Sequence, residues 1–165
     1  MSRKNTTAER ARYKKIIHRA LYKNADVREY VTGNINGKSH AEIQTLFKDH
    51  VKSHLFVDDT IKDAGTYIFY DILFPRLGTN VKTCLIIMYA ICQRDMLENN
   101  ESEKYQGDRI DALTQMIEDT IINDSDVCKE FGIGPLVLDS LDIYNSNRFY
   151  GTVLRFTVPN FRWSN

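Results

Sequence analysis

The chain has three cysteines in 165 residues, Cys84, Cys92 and Cys128. Their number is odd and their spacing fits no metal site, which argues against a disulfide framework and for a reducing compartment. Long hydrophobic runs are missing as well. The longest, CLIIMYAIC at 84–92, falls far short of the roughly 20 residues a membrane-spanning helix needs, so no membrane partner is expected. The opening MSRKNTTAERARYKK lacks the apolar stretch of a secretory signal. Gly-rich phosphate loops, nucleophile elbows and paired C-x-x-C motifs are absent too. Histidine is scarce. Of the four, His50 and His54 could meet on one helix face near Asp58 and Asp59, but two ligands are fewer than the three or four of a stable metal site. Asp139 and Asp142 lie three apart in an expected strand, hence on opposite faces, which removes them as an acid–base pair. Asp71, inside an apolar strand, is expected to point outward or to take a partner, since buried acids are seldom unpaired. The expectation is a chain without catalytic residues, metal or cofactor.

What is present is an ordinary globular composition, with 42% hydrophobic and 27% charged residues, and a length that suits a single domain spanning residues 1–165. Its net charge is zero but unevenly placed. Residues 1–28 hold nine basic side chains against two acids, a surplus of +7, so the remainder sums to −7. Such polarity suits a phosphate-bearing partner, an acidic partner or head-to-tail packing of copies. The basic surface is assigned to Arg3, Lys4, Arg10, Arg12, Lys14, Lys15 and Arg19. Tyr13 and Tyr22 on the same helix could stack on bases, and non-specific contact with DNA is one expectation.

The pattern predicts a helix over 7–23, with Tyr13, Ile16, Ile17, Ala20 and Leu21 on one face. TGNINGKS at 32–39 reads as a loop, and Ser39 with Glu42 forms a capping-box pattern that should start a helix carrying Ile43, Leu46, Phe47 and Val51. These elements make 1–58 a basic, helical N-terminal part, with a sheet-and-helix core over 60–162. TYIFYDILF at 66–74 and VKTCLIIMYAICQ at 81–93 predict a hairpin with a loop of about six residues, the second strand buried on both faces. Asp108 should cap a helix bearing Ile110, Leu113, Ile117 and Ile121. GIGPLVLDSLDIYN at 132–145 and RFYGTVLRFTVPNF at 148–161 predict a second hairpin, ending near Pro159. The order α-α-β-β-α-β-β predicts an α+β domain, a mainly antiparallel sheet of about four strands with helices packed on one face.

From about 60 to 162 this succession resembles the tail terminator and tail-completion proteins at the neck of long-tailed bacteriophages. The resemblance is carried by the first hairpin, the helix DRIDALTQMIEDTII, the segment GIGPLVLDSLDIY and a closing G-x-x-L-x-F-x-V-x-N-F phrase at 151–161. The basic N-terminal third has no counterpart in the shorter members. The resemblance implies a structural virion protein at the neck or tail, assembled in the host cytoplasm. Its subunits would form a homo-oligomeric ring, a hexamer favoured, in contact with tail-tube and head-connector proteins. Alternatives are another neck adaptor or stopper, or a nucleic-acid-binding accessory protein using the basic helix. Phe149, Tyr150, Arg155, Phe161, Arg162 and Trp163 are the expected subunit or partner interface, because aromatic residues and Arg anchor interfaces.

Overall fold

A computed structural model describes residues 6–58, 60–62, 64–77, 82–131 and 136–158. Helices α1 (Thr6–Lys23), α2 (Ala25–Thr32) and α3 (His40–His50) lead into strands β1 (Val51–Lys52), β2 (Thr66–Leu77) and β3 (Lys82–Gln93). Helices α4 (Arg109–Asn123) and α5 (Ser125–Phe131) follow, then β4 (Val137–Asn145) and β5 (Phe149–Thr157). The described strands form one five-stranded sheet in the order β1-β2-β3-β5-β4. It is antiparallel except for β1, which pairs with β2 in parallel at Val51–Ile68 and Lys52–Phe69. The chain is therefore α+β as expected, with five strands where about four were expected.

Local chemistry places the helices. The α1 stripe expected from spacing is the one that is buried: Tyr13, Ile16, Ile17, Ala20 and Leu21. Each such Leu or Ile contributes roughly 1.5–3 kcal/mol on leaving water. Ser39 and Glu42 close a capping box at α3, and Asp108 and Asp111 do the same at α4, satisfying backbone donors that a helix start leaves open. The expected α3 stripe is shorter than its pattern. Phe47 alone is fully buried in that helix, and Val51 lies outside it as the first residue of β1. The loop expected after Phe74 also shortens, because β2 runs on to Leu77 with a register irregularity between Leu73 and Arg76. Pro75 falls in that irregularity, where a residue without an N–H does least harm to the ladder.

One face of the sheet holds the main core. Ile68, Tyr70, Ile72, Cys84, Ile86, Met88, Leu154 and Phe156 join the apolar faces of all five helices there. A smaller cluster on the opposite face gathers Tyr67, Phe69, Ile91 and Phe149 under Val57 and Ile61 of the connection into β2. The expectation that β3 is buried on both faces is corrected over most of its length: Cys84, Ile86, Met88 and Ala90 are buried beneath helices and Ile91 is buried in the smaller cluster, whereas Leu85, Ile87 and Tyr89 are half-buried. No described helix covers that second face, so alternation survives in an apolar strand. The faces expected for β5 hold, with Leu154 and Phe156 toward the helices and Phe149 and Val153 away from them.

At Gly151 the backbone of β3 leaves no room for a side chain on β5. A Cβ there would sit 1.9 Å from the Ala90 carbonyl oxygen and 2.8 Å from the Ile91 Cα, both backbone atoms that no rotamer change can move. Gly151→Ala must therefore separate the two strands. Denaturant unfolding should show a loss of roughly 3 kcal/mol or a failure to fold, and a variant as stable as the parent would contradict the close approach.

Candidate functional site

Two surfaces stand out, an open sheet edge and a cationic helix. The first is β4, whose outer edge has no strand partner among the described residues. The helix layer lies over β2, β3 and β5. Leu141 and Ile143, in register with Leu154 and Thr152 of β5, therefore project on the helix side but beyond its cover, and are 52% and 72% exposed. Val137 at the start of the strand is 49% exposed. A register irregularity between Leu138 and Ser140 shifts the alternation at Asp139, so Ser140 and Asp142 share the far face. There Arg155 of β5 pairs with the Asp142 carboxylate and donates to Ser140 Oγ at 3.3 Å. An unpaired ladder flanked by apolar side chains is a template for pairing with another chain.

The interface expected on the final strand is relocated by this topology. Strand β5 lies between β3 and β4, so both of its ladders are used within the chain. Phe149 is fully buried, edge-on to Tyr67 with ring centroids 6.0 Å apart, and offers nothing to a partner. Tyr150 is half-buried, and Arg155 is engaged by β4. Phe161, Arg162 and Trp163 lie outside the described residues, as do Arg3 and Lys4. The β4 strand was expected, but its place at the open edge was missed, because a hairpin's sequence does not say which of its two strands joins the rest of the sheet, and here β5 pairs with β3.

The second surface is α1, and the fold accounts for much of its charge. Arg10 donates to the Ile72 carbonyl at 2.8 Å and pairs with Asp71 at 2.5 Å. Lys14 pairs with the same carboxylate at 2.8 Å and donates to the Ser53 carbonyl at 2.8 Å. On the other flank Arg12 pairs with Glu130, and Lys23 lies 4.0 Å from both Asp124 and Asp126. The segment 95–130 supplies these last acids. It carries eleven Asp and Glu against Lys104, Arg109 and Lys129, a net of −8. The electrically two-ended sequence thus folds so that its ends neutralise each other in large part. Lys15 and Arg19 are exposed and have no acidic partner among the described residues. Tyr13 is 3% exposed and packs on Phe131, which removes it as a stacking platform. Tyr22 is half-buried, with Phe47 edge-on and Arg28 over its ring.

The remaining candidates are structural in their contacts. His50 donates from Nδ1 to the Thr66 carbonyl at 2.8 Å and stacks on Tyr67, while His54 rests near Phe69. Among the described residues no three His, Cys, Asp or Glu side chains are grouped as a metal would require. Burial pushes the Cys84 thiol up to about 12 and the Cys92 thiol to about 11, leaving neither with a reactive thiolate near neutrality. No described helix is long and apolar enough to cross a membrane. Arg109, 5% exposed, went unnoticed in the sequence. It donates to Thr66 Oγ1 at 2.5 Å and to the Asn99 carbonyl at 2.9 Å, under the Tyr30 ring. A cation so placed ties α2, α4 and β2 together, and its charge gave no local signal of burial.

An α+β domain with helices on one sheet face and an open β4 edge is the class these features define. The chain belongs to the YomW family, whose model matches residues 15–158. The family's name has the form of a phage-like gene name, which suggests a phage-derived protein. No curated protein and no solved structure matches the chain.

Asp71 gives the site's pH dependence. Burial raises its pKa, but bonds from Lys14, the Ile72 N–H and Arg10 outweigh that and hold the carboxyl below its ordinary value of 3.8. The resulting stabilisation is complete above that value and is lost as pH falls through the lower, folded one. Asp71→Asn should cost roughly 1.5–3 kcal/mol at pH 7, the range for hydrogen bonds to charged groups. Parallel denaturant melts should show the gap from the parent closing toward pH 2; a gap unchanged with pH would refute the ion-pair account.

Proposed function

We propose that this protein is a structural subunit of a phage particle, a tail terminator or head–tail connector that assembles into a ring at the neck. The observation that carries the reading is the β4 edge, where Leu141 and Ile143 stand exposed beside an unpaired ladder. An apolar edge of this kind is a liability in a monomer and a resource in an assembly, since a neighbouring copy that covers it satisfies both the backbone and the side chains. The family assignment and the succession of elements that resembles neck proteins support the same reading. Closed rings need a heterologous contact, one surface of each subunit against a different surface of the next. The two ends of the sheet differ, an open β4 edge against a far end closed by the two-residue β1 and by the side chains of Asp71 and Arg10, so the surface that receives β4 on the next copy is a different one. A ring would meet tail-tube protein on one side and head-connector protein on the other, and the role is stoichiometric, with no bond made or broken.

Light scattering tests the assembly. A hexamer of 19.2 kDa subunits has a mass of about 115 kDa. Ile143→Lys with Leu141→Lys should yield a monomer-sized species whose unfolding midpoint matches the parent, because both residues are largely exposed within one chain. An oligomer that survives both substitutions would place the contact elsewhere, and a parent chain that stays monomeric at every concentration would count against self-assembly.

A further inference from the structure

The exposed cations of α1 face a groove of about 550 Å³ between α1 and α3. Lys15, His18, Arg19 and Tyr22 line one wall and Gln44 and Lys48 the other, and no carboxylate is in the lining. Lys14, also at the rim, is engaged by Asp71. That leaves Lys15, Arg19 and Lys48, all exposed and none with an acidic partner among the described residues. The arrangement is costly in isolation. Lys15 and Arg19 are a like-charged pair four residues apart, which destabilises a helix by roughly 0.2–0.5 kcal/mol, and Lys48 adds a third positive charge from the facing helix. His18, partly buried there against Phe47, is held below its ordinary pKa by burial and by Lys48, so near neutrality it adds no charge of its own. Lys15 and Arg19 also border the opposite flank of α1, where Asp124, Asp126 and Glu130 lie, but those carboxylates pair with Lys23 and Arg12; on the α1–α3 side the lining supplies none.

We propose that the α1–α3 groove binds the phosphodiester backbone of a single-stranded nucleic acid, with Lys15, Arg19 and Lys48 as the contacting cations. The shape favours a phosphate chain over an acidic protein segment. Both walls are helices whose backbone groups are bonded internally, so an extended peptide finds no ladder to join, and the cations stand at the rim over a floor that includes Tyr70. Lys15 and Arg19 are spaced ~6 Å along the helix axis, and Lys48 faces them, so phosphates passing through the groove meet cations on both sides. Gln44 adds an amide donor for a phosphate oxygen. Nothing in the lining is arranged to read base edges, so binding is independent of sequence. The site lies at the β1–β2 end of the sheet, away from β4, and stands whether or not the chain forms a ring.

Fluorescence anisotropy with a mixed-sequence 20-nucleotide single strand, titrated from 50 to 200 mM salt, tests it on the full chain. For single strands each phosphate contact adds about −0.7 to the slope of log affinity against log salt. Lys15→Gln, Arg19→Gln and Lys48→Gln together should weaken binding at 50 mM salt at least tenfold and flatten that slope by about 2. Lys62→Gln, a charge change at an exposed position outside the groove, should leave both unchanged, and unchanged melting of the triple variant shows that folding is intact. Parent-like affinity and slope in the triple variant would overturn the proposal. So would binding of polyglutamate or inorganic phosphate as tightly as the oligonucleotide, since that would make the groove a general anion site.

Discussion

Helix α1 is held from both sides by carboxylates, and the rest of the molecule is arranged around that clamp. Asp71 on β2 takes Arg10 and Lys14, while Glu130 on α5 takes Arg12. Between the two flanks the apolar stripe of α1 is pressed onto the core. The Asp71 contact also seals the sheet. Strand β1 pairs with β2 only at Ile68 and Phe69, so Ile72 would otherwise expose both its backbone groups at an edge. Asp71 accepts from the Ile72 N–H at 2.7 Å and Arg10 donates to its carbonyl at 2.8 Å, a side-chain substitute for the missing strand. An edge closed in this way is not available to another chain. The edge at β4 has no such closure among the described residues, and that asymmetry between the two ends of the sheet is the basis of the assembly reading.

Much of the fold was legible because its signals are local. The α1 stripe, the Ser39–Glu42 and Asp108 caps and the two hairpins each rest on spacing or on one side chain meeting one backbone group. The elements missed are those without room for a period to show. Helices α2 and α5 are eight and seven residues long, and each begins after one intervening residue, Asn24 or Asp124, whose side chain caps it. Strand β1 is two residues and exists because α3 delivers it beside β2, a tertiary fact.

The functional surfaces were less legible, for a physical reason. Aromatic richness in β5 suggested an interface, but large apolar side chains serve cores and interfaces alike, and only the pairing of β5 on both sides decides between them. Charge asymmetry likewise speaks of a partner without saying whether the partner is the same chain. Here Arg10, Arg12 and Lys14 find theirs at home, while Lys15 and Arg19 do not. What remains is a molecule with two outward features at opposite ends of one sheet, an apolar edge suited to a neighbour and a cationic groove suited to phosphates.

Hydrogen–deuterium exchange at increasing protein concentration addresses the claim that β4 is the contact between copies. Amides within 137–145 should become protected as concentration rises, while those of β5, already bonded on both sides, should not change. Concentration-dependent protection confined to other segments, with β4 exchanging as an open edge throughout, would contradict it.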